Sequence, residues 1–156
     1  MLSIKNPVAK GLITGLLMIL AAYAILQVKG NPDNALQYLV YLLYAAGIVW
    51  ALWDHSRSVE YDGKFGSLFL NGFRCFAVIT FVMVVFTYFY TQFNEEFRSN
   101  MLKLITEQIN KEPGKTPAEK ETLIAGAKKY YWIPLVLGAT FGYLIVGVII
   151  TALTSL

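Results

Sequence analysis

The chain has 156 residues, 56% of them apolar and 15% charged, with a formal net charge of +3 and a single cysteine. A soluble domain of this size carries about a quarter charged residues, so the composition argues against a water-soluble globule. The small positive charge, interleaved with acids, argues against a nucleic-acid surface, and one cysteine excludes a disulfide framework or a thiolate metal cluster.

The charges are segregated. Four windows, 11–28, 35–53, 75–93 and 132–156, contain no Asp, Glu, Lys or Arg, and each can hold a spanning helix. In water four such stretches would expose a very large apolar surface. The expected fold is an all-α integral membrane protein, one domain over 1–156. It has four transmembrane helices at about 8–28, 35–53, 69–93 and 132–154, with a two-helix amphipathic hairpin at 94–131 between helices three and four.

In chain order, Lys5 and Lys10 precede an apolar run, and Ala22-Tyr23-Ala24 imitates a signal-peptide cleavage site. The run continues through Ile25, Leu26 and Val28, too long for a signal core, so it reads as a retained first helix. Residues 29–34, Lys-Gly-Asn-Pro-Asp-Asn, read as a tight polar turn. The second span ends in Trp50 and Trp53, which suit the membrane interface, and Tyr38, Tyr41 and Tyr44 form a packing stripe along its first half. A short polar connection, 54–72, leads into a third helix starting near Ser67. His55, beside Asp54 and near Glu60 and Asp62, is the only histidine. A metal site wants more nitrogen or sulfur ligands, so these read as solvated interfacial residues.

The stretch 66–109 organises the chain. Its apolar part, 75–93, is bounded by Arg74 and by Asn94-Glu95-Glu96, and about nineteen residues at 1.5 Å each span roughly 28 Å, close to a bilayer core. Thr80, Thr87 and Thr91 share one face, and their hydroxyls can bond the preceding turn's carbonyls. Beyond Asn94, an N-cap, apolar residues Phe97, Met101, Leu104, Ile105 and Ile109 recur at helical spacing. Pro113-Gly114 breaks that helix, and Thr116-Pro117-Ala118-Glu119 starts the next with a capping box. In this second helix Leu123, Ile124 and Ala127 are expected inward. Tyr130-Tyr131-Trp132 returns the chain to the interface.

Gly11 and Gly15, and Gly138 and Gly142, are small-x-x-x-small pairs that allow close helix approach. Depth places Gly147 and Thr151 of the last helix opposite Gly11 and Gly15. Gly138 and Gly142 lie in the other half of that helix on a roughly opposite face, free for a second copy or another protein. Charge leaves the orientation open. Lys29 and seven hairpin cations outnumber Lys5, Lys10, Arg57, Lys64 and Arg74 on the side of the termini. Close to the first helix, however, the balance favours cytoplasmic termini.

Lys10-Gly11-Leu12-Ile13, Phe65-Gly66, Asn71-Gly72-Phe73, Phe86-Thr87-Tyr88 and Phe93-Asn94-Glu95-Glu96-Phe97, followed by the Thr-Pro-Ala-Glu cap before the last span, form a familiar pattern. Over nearly its full length the chain resembles the Bacteroidota membrane family known as domain of unknown function 4199. The resemblance implies four helices in a bacterial inner membrane, cytoplasmic termini, a periplasmic helical loop and a basic tail beyond Leu156. It carries no established activity. It also points weakly to envelope glycan work beside a lipid-carrier-type glycosyltransferase.

No nucleophile with a base, no intramembrane acid and no glycine-rich phosphate loop is visible in the spans, and transporters and intramembrane enzymes tend to carry such groups. No catalytic residue, cofactor or metal is therefore expected. The expected function is a non-enzymatic accessory or interaction subunit of an inner-membrane assembly. It contacts membrane lipid and another membrane protein or a second copy of itself, with no nucleic acid. The alternative is a small homo-oligomeric channel or carrier lined by Thr80, Thr87 and Thr91, and a lipid-modifying enzyme is a distant third. Partner docking is expected at Phe97, Met101, Leu104 and Leu123, because two short helices are marginal alone in water and a nearly balanced charge does not make an electrostatic membrane anchor.

Overall fold

The computed structural model describes residues 6–29 and 37–156. Among them it contains six α-helices and no strand: α1 Pro7–Lys29, α2 Gln37–Ser56, α3 Phe65–Phe93, α4 Glu95–Lys111, α5 Pro117–Tyr130 and α6 Trp132–Thr154. Of the turn expected at 29–34, Lys29 is the last residue of α1 and the rest lies outside the described residues. Three helical stretches are long and apolar enough to cross a membrane: Pro7–Gln27, Phe65–Phe93 and Trp132–Thr154. The chain divides into two compact units, Met1–Val85 with Ala139–Leu156, and Phe86–Gly138.

The polar connection is shorter than 54–72, because helix occupies both of its ends. At the end of α2, Ser56 Oγ donates to Trp53 O at 2.8 Å, and Ser58 donates to His55 O through its hydroxyl at 2.8 Å and its amide at 3.0 Å. These bonds satisfy carbonyls that a helix terminus leaves open, so Asp54 and His55 are helical. On the other side, Asp62 Oδ1 accepts from the Lys64 amide at 3.2 Å, and Gly63 takes a positive φ of 73°. That turn allows Lys64 O to accept the first helical amide bond, from Ser67 at 3.1 Å, so α3 begins at Phe65.

In the first unit, the buried face of α1 is Lys10, Gly11, Thr14, Gly15 and Met18, one stripe at three- and four-residue spacing. Glycines set its close crossings. A Cβ at Gly11 would stand 2.7 Å from Cys75 O and 3.0 Å from Val78 Cβ, and one at Gly15 would stand 2.8 Å from Val82 Cγ1. A Cβ at Gly47 would run into the Thr14 side chain. At Gly72 it would lie 2.5 Å from Thr151 Cγ2, and at Gly147 it would collide with the Tyr44 hydroxyl and stand 2.7 Å from Phe76 Cδ2. Small residues that let helix backbones approach are how helices pack where no water drives them together.

Gly11 and Gly147 both reach the Cys75–Phe76 turn of α3, so the level given by depth stands while the helix met differs. Gly11 and Gly15 receive α3, not Gly147 and Thr151 of α6. The reason is shape: Val78 and Val82, one turn apart on α3, present short branched side chains that fill the notch left by two glycines. Gly147 and Thr151 instead take Tyr44 and Phe76, and Gly72. Tyr44 closes the arrangement, donating its hydroxyl to Tyr143 O at 2.8 Å while its ring meets the Tyr143 ring edge-on at 5.4 Å.

In the second unit, α4 and α5 pack on each other. Asn94 caps α4 by accepting from the Phe97 amide at 2.8 Å. Thr116 and Glu119 form the reciprocal capping box of α5, with Pro117 in its first turn. Lys120 Nζ donates to Asn110 O at 2.8 Å, tying the start of α5 to the end of α4. The Thr116 amide and hydroxyl both donate to Glu119 Oε2, at 2.7 and 3.0 Å, and hold this carboxyl below its ordinary value. A depressed carboxyl stabilises the fold fully above its unfolded value of about 4.3, and that contribution is lost as pH falls through the lower folded value. The Thr116 amide resonance is therefore expected to titrate below the ordinary carboxylate range and to stop doing so in Glu119→Gln. A midpoint at or above about 4.3 would contradict the cap.

Candidate functional site

Lys10 lies one turn inside α1. Asn6 starts that helix, its Oδ1 accepting from the Val8 amide at 2.9 Å and its carbonyl from the Lys10 amide at 3.2 Å. The buried stripe of α1 carries the Lys10 side chain inward, to 2% exposure. Its ammonium is paired with the Asp54 carboxylate, 44 residues away on the last turn of α2, and lies 5.5 Å from the centre of the Trp50 ring. A buried cation needs a counter-charge, and an aromatic face adds a second attraction. Asp54 is placed differently, because its side chain keeps 46% of its exposure.

A polar cleft of about 710 Å³ opens on the exposed side of Asp54. Asn6 just before α1 and Pro7 at its start, Asp54 and His55 of α2, and Asn71 and Arg74 of α3 contribute to its lining, together with Arg57 and Glu60 of the connecting loop. The Arg57 guanidinium stacks over the Trp53 ring at 4.4 Å. His55 is pinned rather than loose: Nε2 is 3.1 Å from Ser67 Oγ, and the ring meets Tyr61 edge-on at 5.9 Å. Asn71 Oδ1 is buried with no hydrogen-bond partner among the described residues. Among the described residues, no group of three or more His, Cys, Asp or Glu could hold a metal ion.

Sequence reasoning missed the Lys10–Asp54 pair, reading Lys10 as a topological flank and Asp54 as solvated. The available signal was a lysine next to the first residue of an apolar segment and an acid at the end of the following one. Ionisable groups at such positions call for a named partner.

The residues expected to dock a partner divide into two sets. Phe97 is half-buried, its ring 5.3 Å from Tyr90, and Met101 is half-buried too. Leu104 is 54% and Leu123 41% exposed. The inward reading of Leu123 is corrected, since Ile124 and Ala127 are half-buried and Leu123 points out. With helix registry at 100° per residue, the side that brings Ile124 and Ala127 inward turns Leu123 toward its rim.

The threonines of α3 are occupied by packing. Thr80 Oγ1 is 3.5 Å from the Tyr44 hydroxyl, and both are buried. Thr91 donates to Tyr88 O at 2.9 Å, and its own carbonyl accepts from the Tyr131 hydroxyl. Thr87 is half-buried. On α6 the two glycine sets part company. Gly147 is buried, whereas a Cβ at Gly138 would meet nothing within 4 Å, and one at Gly142 only the Tyr41 hydroxyl at 3.9 Å.

Six helices, three of them able to cross a membrane, with an ion pair sunk between the first two, define a helical protein of membrane-compatible build. The chain belongs to the family described as "Protein of unknown function (DUF4199)", which matches residues 10–156. No curated protein and no solved structure matches it.

Proposed function

We propose that this chain is a four-span inner-membrane protein with cytoplasmic termini and a periplasmic α4–α5 hairpin, and that it serves as a non-enzymatic interaction subunit. The fourth span is α2. It has 20 residues, about 30 Å of helix, and its only acid and its histidine sit in the last turn. Three tyrosines and two tryptophans lower its apolarity, but these residues are enriched at membrane interfaces.

The observation that carries the interaction role is the bareness of α6. Only Tyr143, Gly147 and Thr151 of its 23 residues are buried inside the chain. Lipid tails alone ask for bulky apolar side chains. A glycine such as Gly138, open to its surroundings, instead leaves room for another helix. The channel reading has less support, because Thr80 and Thr91 are buried among partners.

Extraction in mild detergent, followed by mass spectrometry, tests the reading. The wild-type chain is expected to copurify with a different membrane protein at fixed stoichiometry. Gly138→Leu is expected to lose that protein while melting at the wild-type temperature, since a Cβ there meets nothing within 4 Å. A wild-type chain recovered only as a homo-oligomer would favour the channel.

A further inference from the structure

The cleft beside Asp54 combines two features that no helix-packing role requires. First, its two guanidiniums, Arg57 and Arg74, carry no carboxylate partner among the described residues, although Lys10, Lys64 and Lys115 each do. Second, its acids are unequal. Lys10 neutralises Asp54 from the buried side, so the cleft faces its ligand with two arginines against Glu60.

The site also has a level. Arg57 rests on Trp53, which is 58% exposed, and exposed tryptophan at the end of an apolar helix marks the headgroup layer. Arginine is suited to a phosphate there, because its planar donors match phosphate oxygens in pairs. A volume of about 710 Å³ falls in the ordinary range for a small-molecule site.

We propose that this cleft binds the phosphodiester of a membrane phospholipid, with Arg57 and Arg74 on the phosphate. The inference rests on the membrane reading of the chain and not on its having a protein partner. Binding by the bilayer's own phosphate and binding by phosphate from the aqueous phase share this chemistry, so the test separates them.

The full chain in detergent is titrated with short-chain phosphatidylglycerol, with a diacylglycerol of the same chain length, and with phosphatidylglycerol in the presence of inorganic phosphate. Native mass spectrometry reads the adduct. One phosphatidylglycerol is expected per chain, with no comparable diacylglycerol adduct and no displacement by an equal concentration of inorganic phosphate. Arg57→Gln and Arg74→Gln should each weaken binding about tenfold, the loss expected for one charge-assisted hydrogen bond. Lys64→Gln, an exposed lysine already paired with Asp62, should leave it unchanged. Equal binding of diacylglycerol, displacement by inorganic phosphate, wild-type affinity in the double arginine variant, or an equal loss in Lys64→Gln would each overturn the proposal.

Discussion

Asp54→Ala is expected to destabilise the folded chain by about 3 kcal/mol, whereas Lys10→Met should cost about 1 kcal/mol or less. The two changes break the same ion pair, but they strand different partners. Removing Asp54 leaves an ammonium at 2% exposure with no counter-charge, and an uncompensated buried charge is the expensive product. Removing Lys10 leaves a carboxylate that keeps 46% of its exposure and can be hydrated from the cleft. Methionine, moreover, retains most of the apolar stem that lysine buries. Combining Lys10→Met with Asp54→Ala should return most of the loss, since neither charge then remains. Thermal unfolding of the three variants in one detergent checks this ordering. Equal costs for the two single changes would mean that the pair behaves as a surface bridge.

Gly147→Ala is the second large effect expected. The added methyl collides with the Tyr44 hydroxyl and stands 2.7 and 2.8 Å from Phe76 Cδ2 and Cγ. Phe76 and Tyr44 are fully buried, so neither ring can swing clear, and overpacking of this kind costs about 1–3 kcal/mol. Shifting Tyr44 also breaks its bond to Tyr143 O, 2.8 Å in the native chain, for about 1 kcal/mol more. The sum is about 3 kcal/mol, against a change within about 0.5 kcal/mol for Gly138→Ala at an open position. Tyr44→Phe in the Gly147→Ala background removes the oxygen nearest the new methyl. A double-mutant cycle should therefore show the pair less costly than the sum of its members.

These two sites show what could be read in advance. The caps of α4 and α5 were legible because their chemistry is local: Asn94 and Phe97, or Thr116 and Glu119, lie within one turn of each other. The apolar stretches were legible because a run without charge needs no knowledge of its neighbours. The limits of α2 and α3 were less so, since Ser56, Ser58 and the Asp62-Gly63 turn settle them through individual hydrogen bonds. What faces what was not legible at all. Gly11 and Gly15 could have received any helix, and the choice of α3 depends on where Val78 and Val82 fall. The Lys10–Asp54 pair depends on two helices crossing at one level, which no periodicity within either helix records.

The separation of 44 positions from Lys10 to Asp54 also imposes an order on assembly. The ribosome delivers Lys10 first, and at roughly 5–20 residues per second Asp54 follows some 2–9 seconds later. During that interval the ammonium has no carboxylate, and burying it alone is costly. The buried place of Lys10 is therefore favourable only once the end of α2 is made. Only then does the lysine meet a counter-charge at its final depth beside Gly11. The pair thus acts as a latch in time as well as in space, closing only when the second helix has arrived.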